Sequence, residues 1–158
     1  MTNISVSIVI PVYNEEESIS SLYTEIKSSL KNIPEHEIIF INDGSNDSSS
    51  HKISRLVDTD STVTLIDLYS NFGKADALNE GFKAARGGVV ISIDADLQDD
   101  PAEISNLVDK INEGWDVVSG WKVDRKDPIT KRWPSKLFNI IMRYVTNVKI
   151  HDFNCGLK

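Results

Sequence analysis

The stretch Val89-Val90-Ile91-Ser92-Ile93-Asp94-Ala95-Asp96-Leu97-Gln98-Asp99-Asp100-Pro101-Ala102-Glu103 contains one whole turn of the architecture. Val89 to Ile93 is short, apolar and β-branched, which reads as a buried strand. It runs straight into Asp94. Asp100-Pro101-Ala102-Glu103 marks a helix start: an Asp cap, Pro at the first helical position and Glu three residues after the cap. Ile104, Leu107, Val108 and Ile111 then recur at helical spacing as that helix's apolar face. Strand, acidic loop and amphipathic helix follow without a linker.

The same alternation extends in both directions. Val6 to Ile10 reads as a first buried strand, ended by Pro11. Asn14-Glu15-Glu16-Glu17 reads as a capped helix start with acids in the first turn, where the helix dipole favours them. Ile19, Leu22, Ile26, Leu30 and Ile33 follow at helical spacing until Pro34. Glu37 to Ile41 is the second strand, with Asn42-Asp43-Gly44-Ser45 as a turn. A polar helix with Ile53, Leu56 and Val57 inward leads to a third strand, Val63 to Leu68. Ala75, Leu78, Phe82 and Ala85 mark a third helix that Gly87-Gly88 terminates. Beyond the central unit, Trp115 to Ser119 reads as a fifth strand. Leu137, Ile140, Ile141, Tyr144 and Val145 form a last amphipathic helix after the loop bounded by Pro128 and Pro134.

At least four such units predict an α/β fold: one domain with a mostly parallel, Rossmann-like sheet and helices on both faces. In such sheets ligands bind beyond the carboxyl ends of the strands. The polar clusters fall there: Tyr13-Asn14-Glu15, Asn42-Asp43-Gly44, Asn71 to Lys74, and Asp94 to Asp99.

Bulk properties narrow the function. The 158 residues suffice for one domain with a sizeable core. No apolar run approaches the roughly 20 residues that span a bilayer, and Met1 to Ser7 lacks the pattern of a secretory signal. The lone Cys155 excludes an intramolecular disulfide and fits a reducing, cytoplasmic setting. A net charge of -7 argues against a nucleic-acid partner. Yet Lys122 to Lys149 holds eight basic residues against two acidic ones, leaving nine basic and 22 acidic elsewhere, so this segment is +6 and the remainder -13. It reads either as a solvated face or as a surface that meets phosphate on an acceptor or a membrane.

Asp94 and Asp96 are two carboxylates one residue apart at a strand end, and they repel unless a cation lies near. Hard oxygen ligands suit Mg²⁺ or Mn²⁺, which keep positions open for substrate phosphates. The same acids could also serve as plain loop caps. A calcium loop is excluded, because its sixth and twelfth positions need Gly and Glu, whereas Asp99 and Ser105 stand there. No P-loop motif occurs, and no G-x-G-x-x-G opens the first helix. Asp43 could accept N–H groups of a base or hydroxyls of a ribose, or simply form an Asp-Gly turn. Gly73-Lys74 could bring a cation to a diphosphate at a helix start, or leave a solvated lysine there. His36 and His51 read as exposed, and Trp115 and Trp121 as packing groups.

The motifs occur in a telling order: Ile8-Val9-Ile10-Pro11-Val12-Tyr13-Asn14-Glu15, Asn42-Asp43-Gly44-Ser45, Asn71-Phe72-Gly73-Lys74-Ala75-Asp76-Ala77-Leu78-Asn79, then Asp94 to Asp99. This order closely resembles the family 2 glycosyltransferases of the GT-A fold. Gly114-Trp115-Asp116-Val117-Val118-Ser119-Gly120 and His151-Asp152-Phe153-Asn154-Cys155-Gly156-Leu157-Lys158 resemble the branch that loads a sugar onto a polyprenyl phosphate. That branch is the dolichol-phosphate mannosyltransferase and bactoprenol glucosyltransferase group.

The resemblance implies a catalytic domain over residues 1–158. Residues 1–121 would form its nucleotide-sugar-binding part and 122–158 the start of an acceptor side. Pro11, Tyr13, Glu15 and Asp43 would line the nucleoside pocket, with Lys74 near the diphosphate. Asp94, Asp96 and Gln98 would hold Mg²⁺ or Mn²⁺ and the donor diphosphate. Lys122, Arg125, Lys131 and Arg132 would meet acceptor phosphate, which gives the +6 segment a role. Asp96 and Asp152 would be the catalytic acids. The implied partners are a nucleoside diphosphate sugar, UDP-linked by analogy with the bacterial branch, and a polyprenyl phosphate of the cell envelope. The expected setting is the cytoplasmic face of a membrane.

Three departures from the family pattern stand out. Asn42 replaces the first of two acids common before the Gly-Ser turn. Lys122 stands where Arg is frequent, losing the bidentate fork. The chain stops directly after the late motif, where relatives continue, so a C-terminally truncated domain is expected. Two rival functions remain at this level. One is a nucleotide-binding module without turnover; the other is a glycosyltransferase acting on a polysaccharide or a protein.

Overall fold

A computed structural model describes residues 6–33, 35–120 and 156–158. Four strands form one parallel sheet in the order β3-β2-β1-β4: β1 Val6–Val12, β2 His36–Asp43, β3 Val63–Leu68 and β4 Val89–Ser92. The helices are α1 Ile19–Ser29, α2 Ser49–Thr59, α3 Lys74–Ala84 and α4 Ile104–Asn112. A single 3-10 turn, Pro101–Glu103, leads into α4, and the Asp100 carboxylate caps it by accepting the Ala102 N–H. The expected strand-helix alternation therefore holds over these four units.

The strand order dictates where the helices lie. From β1 to β3 the chain steps in one direction, so right-handed crossovers put α1 and α2 on one face. From β3 it must return past β1 to reach β4, and the same handedness sends α3 to the opposite face. The cores agree. Val6, Ile8, Ile10 and Val12 pack with Ile19, Leu22, Ile26, Ile53, Ile104 and Leu107 on one side. Val9, Ile39, Ile41 and Ala77 form the core of the other. The order of strand addition reverses between β1 and β4, the position where such folds open a crevice.

Five expectations need correction. On α2, Val57 is 37% exposed rather than inward. The first helix begins at Ile19, not at Asn14. Asn14 is left-handed at φ 55°, and the N–H groups of Asn14, Glu15 and Glu16 go to Ser45 in the β2–α2 loop, Ser49 at the start of α2 and Asp47 in that loop, respectively. The left-handed Asn14, rather than the loss of these donors, breaks a helix there, because the first N–H groups of a helix have no internal partner in any case. The fully buried residues of α3 are Ala77 and Gly81, with Leu78 packed beside them as expected, while Phe82 is 49% exposed. Small residues are needed there because a Cβ on Gly81 would meet the side chains of Val9 and Ile41. Trp115–Ser119 forms no strand ladder, and Trp115 is exposed rather than packed. Finally, His36 is half-buried: its Nδ1 lies 2.7 Å from the Ile33 carbonyl and its Nε2 lies 3.1 Å from Lys27 Nζ. His51 is exposed, as expected.

Residues 156–158 return to the sheet. Ser92 and Lys158 exchange backbone hydrogen bonds of 2.9 and 3.2 Å, and Gly120 donates to the Leu157 carbonyl. Leu157 is buried in the larger core. Residues 156–158 thus lie beside β4. The last amphipathic helix and Trp121 fall outside the described residues. Among the described residues no helix is long and apolar enough to cross a membrane.

Candidate active site

Every strand points its carboxyl end at one edge, and the segments leaving β1, β2, β3 and β4 meet there. Pro11 can belong to an inner strand because its neighbour has already ended. The Val9 carbonyl accepts from Ile93, so Pro11, two residues on, faces the same side, beyond Ser92, the last residue of β4. No ladder bond is lost by its missing N–H. The resulting cleft, of about 280 Å³, is lined by Pro11, Val12, Tyr13, Glu15, Asp43, Asn71, Gly73, Lys74, Asp94, Ala95 and Asp96.

The wall from β1 is fixed by the lacing already described. The Asn14 side chain returns the contact by accepting the Asn46 N–H at 2.8 Å. Glu16 does the same for Ser48 at 2.8 Å. Burial would raise the Asp47 carboxyl, but hydrogen bonds from Ser49 and from the Glu16 N–H outweigh it and hold the group below its usual range. Tyr13 and Glu15 are thereby carried on a braced loop.

Asp43 ends β2 and is only 2% exposed. Its two oxygens accept the backbone N–H groups of Phe72 and Gly73, each at 2.8 Å. Gly73 takes φ 97° and ψ 155°, a conformation open essentially to glycine, and then starts α3. Asp43 therefore anchors the segment that presents Lys74. Neighbouring Asn42 donates to Asp67 at 2.6 Å and accepts the Ser45 N–H at 3.3 Å. A carboxylate at 42 would face the Asp67 carboxylate and lose the donor. The departure at Asn42 thus has a local cause.

Beyond β4, Asp94 is met by Lys74 Nζ at 2.6 Å from Oδ1 and 2.7 Å from Oδ2. Asp96 Oδ1 accepts the Gln98 N–H at 3.0 Å, and Leu97 between them is left-handed at φ 59°. Gly156 lies against this corner. A Cβ built there would be 2.5 Å from both Asp94 Oδ2 and Asp99 Oδ2, so the two carboxylates converge on the tail.

The structure therefore gathers Pro11, Tyr13, Glu15, Asp43, Lys74, Asp94 and Asp96 around one cleft. Gln98 does not line it; its described contact is the backbone turn to Asp96. Lys122, Arg125, Lys131, Arg132 and Asp152 lie outside the described residues. Asn71 lines the cleft and buried Asp99 shares the Asp94 corner, yet neither had been assigned a role. Their positions at the ends of β3 and β4 were the available signal. No group of three or more acidic, His or Cys side chains among the described residues could enclose a metal. Two hard carboxylates beside an open cleft do fit Mg²⁺ or Mn²⁺, which take one or two carboxylates together with substrate phosphates and water.

In open α/β sheets the crevice at the switch point is where ligands bind. The chain belongs to glycosyl transferase family 2, whose model matches residues 7–157. Among curated proteins it is similar to the undecaprenyl-phosphate 4-deoxy-4-formamido-L-arabinose transferase of Pseudomonas aeruginosa. The two are 39% identical over 155 residues, covering 97% of this chain and 46% of that protein. The Shewanella sediminis transferase of the same name is 41% identical, with 97% and 47% covered. The chain thus spans about half the length of these relatives.

Among solved structures, the mannosyltransferase PcManGT from Pyrobaculum calidifontis, in complex with GDP-Man and Mn²⁺, matches with TM-score 0.60 and 27% identity. It covers 67% of this chain and 32% of that one. A mycobacterial protein shares the fold over 98% of this chain and 52% of its own, at TM-score 0.71 and 22% identity. The fold is thus of the GT-A type.

Proposed function

We propose that this chain forms the donor-binding part of a metal-dependent, inverting glycosyltransferase that moves a sugar from a nucleoside diphosphate to a polyprenyl phosphate. The observation that carries the reading is the single cleft in which Asp94 and Asp96 face Asp43, Tyr13 and Lys74. The lipid-phosphate acceptor is suggested by the curated relatives, and Mn²⁺ with a nucleotide sugar by the PcManGT complex.

In this reading Pro11, Tyr13, Glu15 and Asp43 hold the nucleoside, and Asp94 and Asp96 hold Mg²⁺ or Mn²⁺. The bound metal would supply Lewis-acid neutralisation of charge on the departing diphosphate. Lys74 adds a positive charge on the same side of the cleft. The acceptor phosphate is already anionic at neutral pH, so its oxygen attacks the anomeric carbon without a strong general base. Asp152 then orients the acceptor rather than removing a proton. Lys122, Arg125, Lys131 and Arg132 attract that phosphate, and residues 122–158 begin the acceptor side.

The test is turnover by the protein carrying this chain, with UDP- and GDP-sugars, a polyprenyl phosphate and Mn²⁺. UDP-sugars are the first donors to try. Asp96→Ala should cut turnover about a hundredfold or more, roughly 2.7 kcal/mol of barrier. Undiminished turnover would remove Asp96 from the metal site. A second reading, a nucleotide-binding unit without turnover, keeps the same cleft residues and requires no acceptor. Binding of UDP or GDP with Mn²⁺ but no transfer would select it.

A further inference from the structure

We propose that Lys74 is a stand-in for the divalent cation: it pairs with Asp94 and gives way when metal and nucleotide arrive. This deepens the function proposed above and rests on its assignment of the metal to Asp94 and Asp96.

The ammonium contacts both oxygens of Asp94, at 2.6 and 2.7 Å, so it faces the whole carboxylate rather than one edge. The acidic corner around Asp94 favours a nearby positive charge. Asp94 Oδ2 and Asp99 Oδ2 both lie 2.5 Å from the place a Cβ would take on Gly156, so the two carboxylates converge on one small space. Like charges so close are destabilising unless a positive charge is near.

The lysine is also built to leave. It is the first residue of α3, directly after Gly73, and its side chain is 55% exposed. A flexible, solvated stem loses little by moving, and an exposed ion pair contributes little to stability. A divalent cation carries twice the charge and takes oxygen ligands preferentially, so it wins Asp94 once diphosphate oxygens complete its shell. The displaced ammonium remains in the cleft, where a diphosphate offers new acceptors. The fixed point is the bond from Gly73 to Asp43, which holds the start of α3 still while the side chain moves.

The exchange predicts effects of opposite sign on two ligands. In Lys74→Met, Mn²⁺ binding without nucleotide, read from loss of the free-ion paramagnetic resonance signal, should tighten about fivefold, close to 1 kcal/mol. UDP binding with saturating Mn²⁺, read by calorimetry, should weaken about fivefold or more. Lys74→Arg, which keeps the charge, should leave Mn²⁺ binding near the parent value. Position 74 is exposed, so folding should be unaffected, and circular dichroism checks this. Mn²⁺ affinity in Lys74→Met equal to or weaker than the parent overturns the exchange. If the parent binds Mn²⁺ in the presence of UDP, the proposed metal site stands and only the exchange falls. If neither protein takes up Mn²⁺ with or without UDP, the metal assignment itself falls, and the exchange with it.

Discussion

Gly73 donates its backbone N–H to Asp43 at 2.8 Å, which ties the end of β2 to the start of α3 across the floor of the cleft. The contact makes a buried acid part of the loop's framework as well as part of the lining. Any role of Asp43 toward a nucleoside is therefore superimposed on a structural one.

Gly73→Ala should destabilise the fold by about 1–3 kcal/mol, because φ 97° with ψ 155° is strained for any residue with a Cβ. Nothing lies within 4 Å of that Cβ position, so the cost is one of backbone conformation alone. Urea unfolding measures it. UDP affinity should fall as well, since the segment carrying Asn71 and Lys74 would shift. Unchanged UDP affinity would mean that the loop and the ligand are independent.

Gly156→Ala should loosen the acidic corner. The new methyl would lie 2.5 Å from Asp94 Oδ2 and from Asp99 Oδ2, so the tail or the carboxylates must move. Overpacking of this kind costs about 1–3 kcal/mol. The measurable consequence is weaker Mn²⁺-dependent UDP binding, with metal-free UDP binding changed much less. Equal loss in both would point to general unfolding.

Glu37→Gln should reduce stability by about 1.5–3 kcal/mol while leaving UDP binding intact. Glu37 is 3% exposed and accepts Ser7 Oγ, the Arg86 N–H and the Arg86 guanidinium at 2.7–3.1 Å. This network ties β1 and β2 to the turn before β4 at the amino ends of the strands, opposite the cleft. Arg86 is 68% exposed, so its charge can return to water, which keeps the cost below that of a fully buried pair. Loss of UDP affinity in a folded variant would contradict the separation of the two ends.

Stability should be broad near neutral pH and fall at both extremes. Burial would raise the Glu37 carboxyl, but bonds from Arg86 and Ser7 hold it below its usual range. Burial likewise opposes the lowering of Asp60, which bonds from Thr62, Tyr23 and Lys27 achieve. Both folded values lie below the unfolded ones, so these contributions are present above pH ~4 and fade as pH falls further. Tyr23 is the reverse case: burial, then its bond to Asp60, pushes its hydroxyl up to about 12 from 10.0. The folded state retains that proton longer, so stability is complete below pH ~10 and declines toward pH ~12. Urea midpoints against pH should show both limbs, with Tyr23→Phe flattening the alkaline one and Asp60→Asn the acid one.

Periodicity exposed most of the framework. The apolar runs at β1 to β4 are short, rich in β-branched residues and bounded by turns, and the signature at Asp100-Pro101 starts a helix where expected. What it missed depends on partners distant in sequence. Nothing local to Asn14-Glu15-Glu16 shows that their N–H groups belong to Ser45, Asp47 and Ser49. The fully buried residues of α3 are Ala77 and Gly81, small residues that hydrophobic patterning passes over in favour of Phe82. The site was legible as four polar clusters at strand ends. Lys74 on Asp94, and Gly156 beside Asp94 and Asp99, needed the fold to bring them together.

The tail beside β4 also sets an order of assembly. Ser92 Oγ reaches the Gly156 carbonyl across 64 residues of chain, a long closure compared with the adjacent steps from β1 to β3. During synthesis, the walls bearing Tyr13 and Asp43 can form while the tail is still inside the ribosome. The corner with Asp94 and Asp99 cannot be completed until residues 156–158 emerge. A nascent chain halted shortly before that point would carry one side of its cleft finished and the other still open.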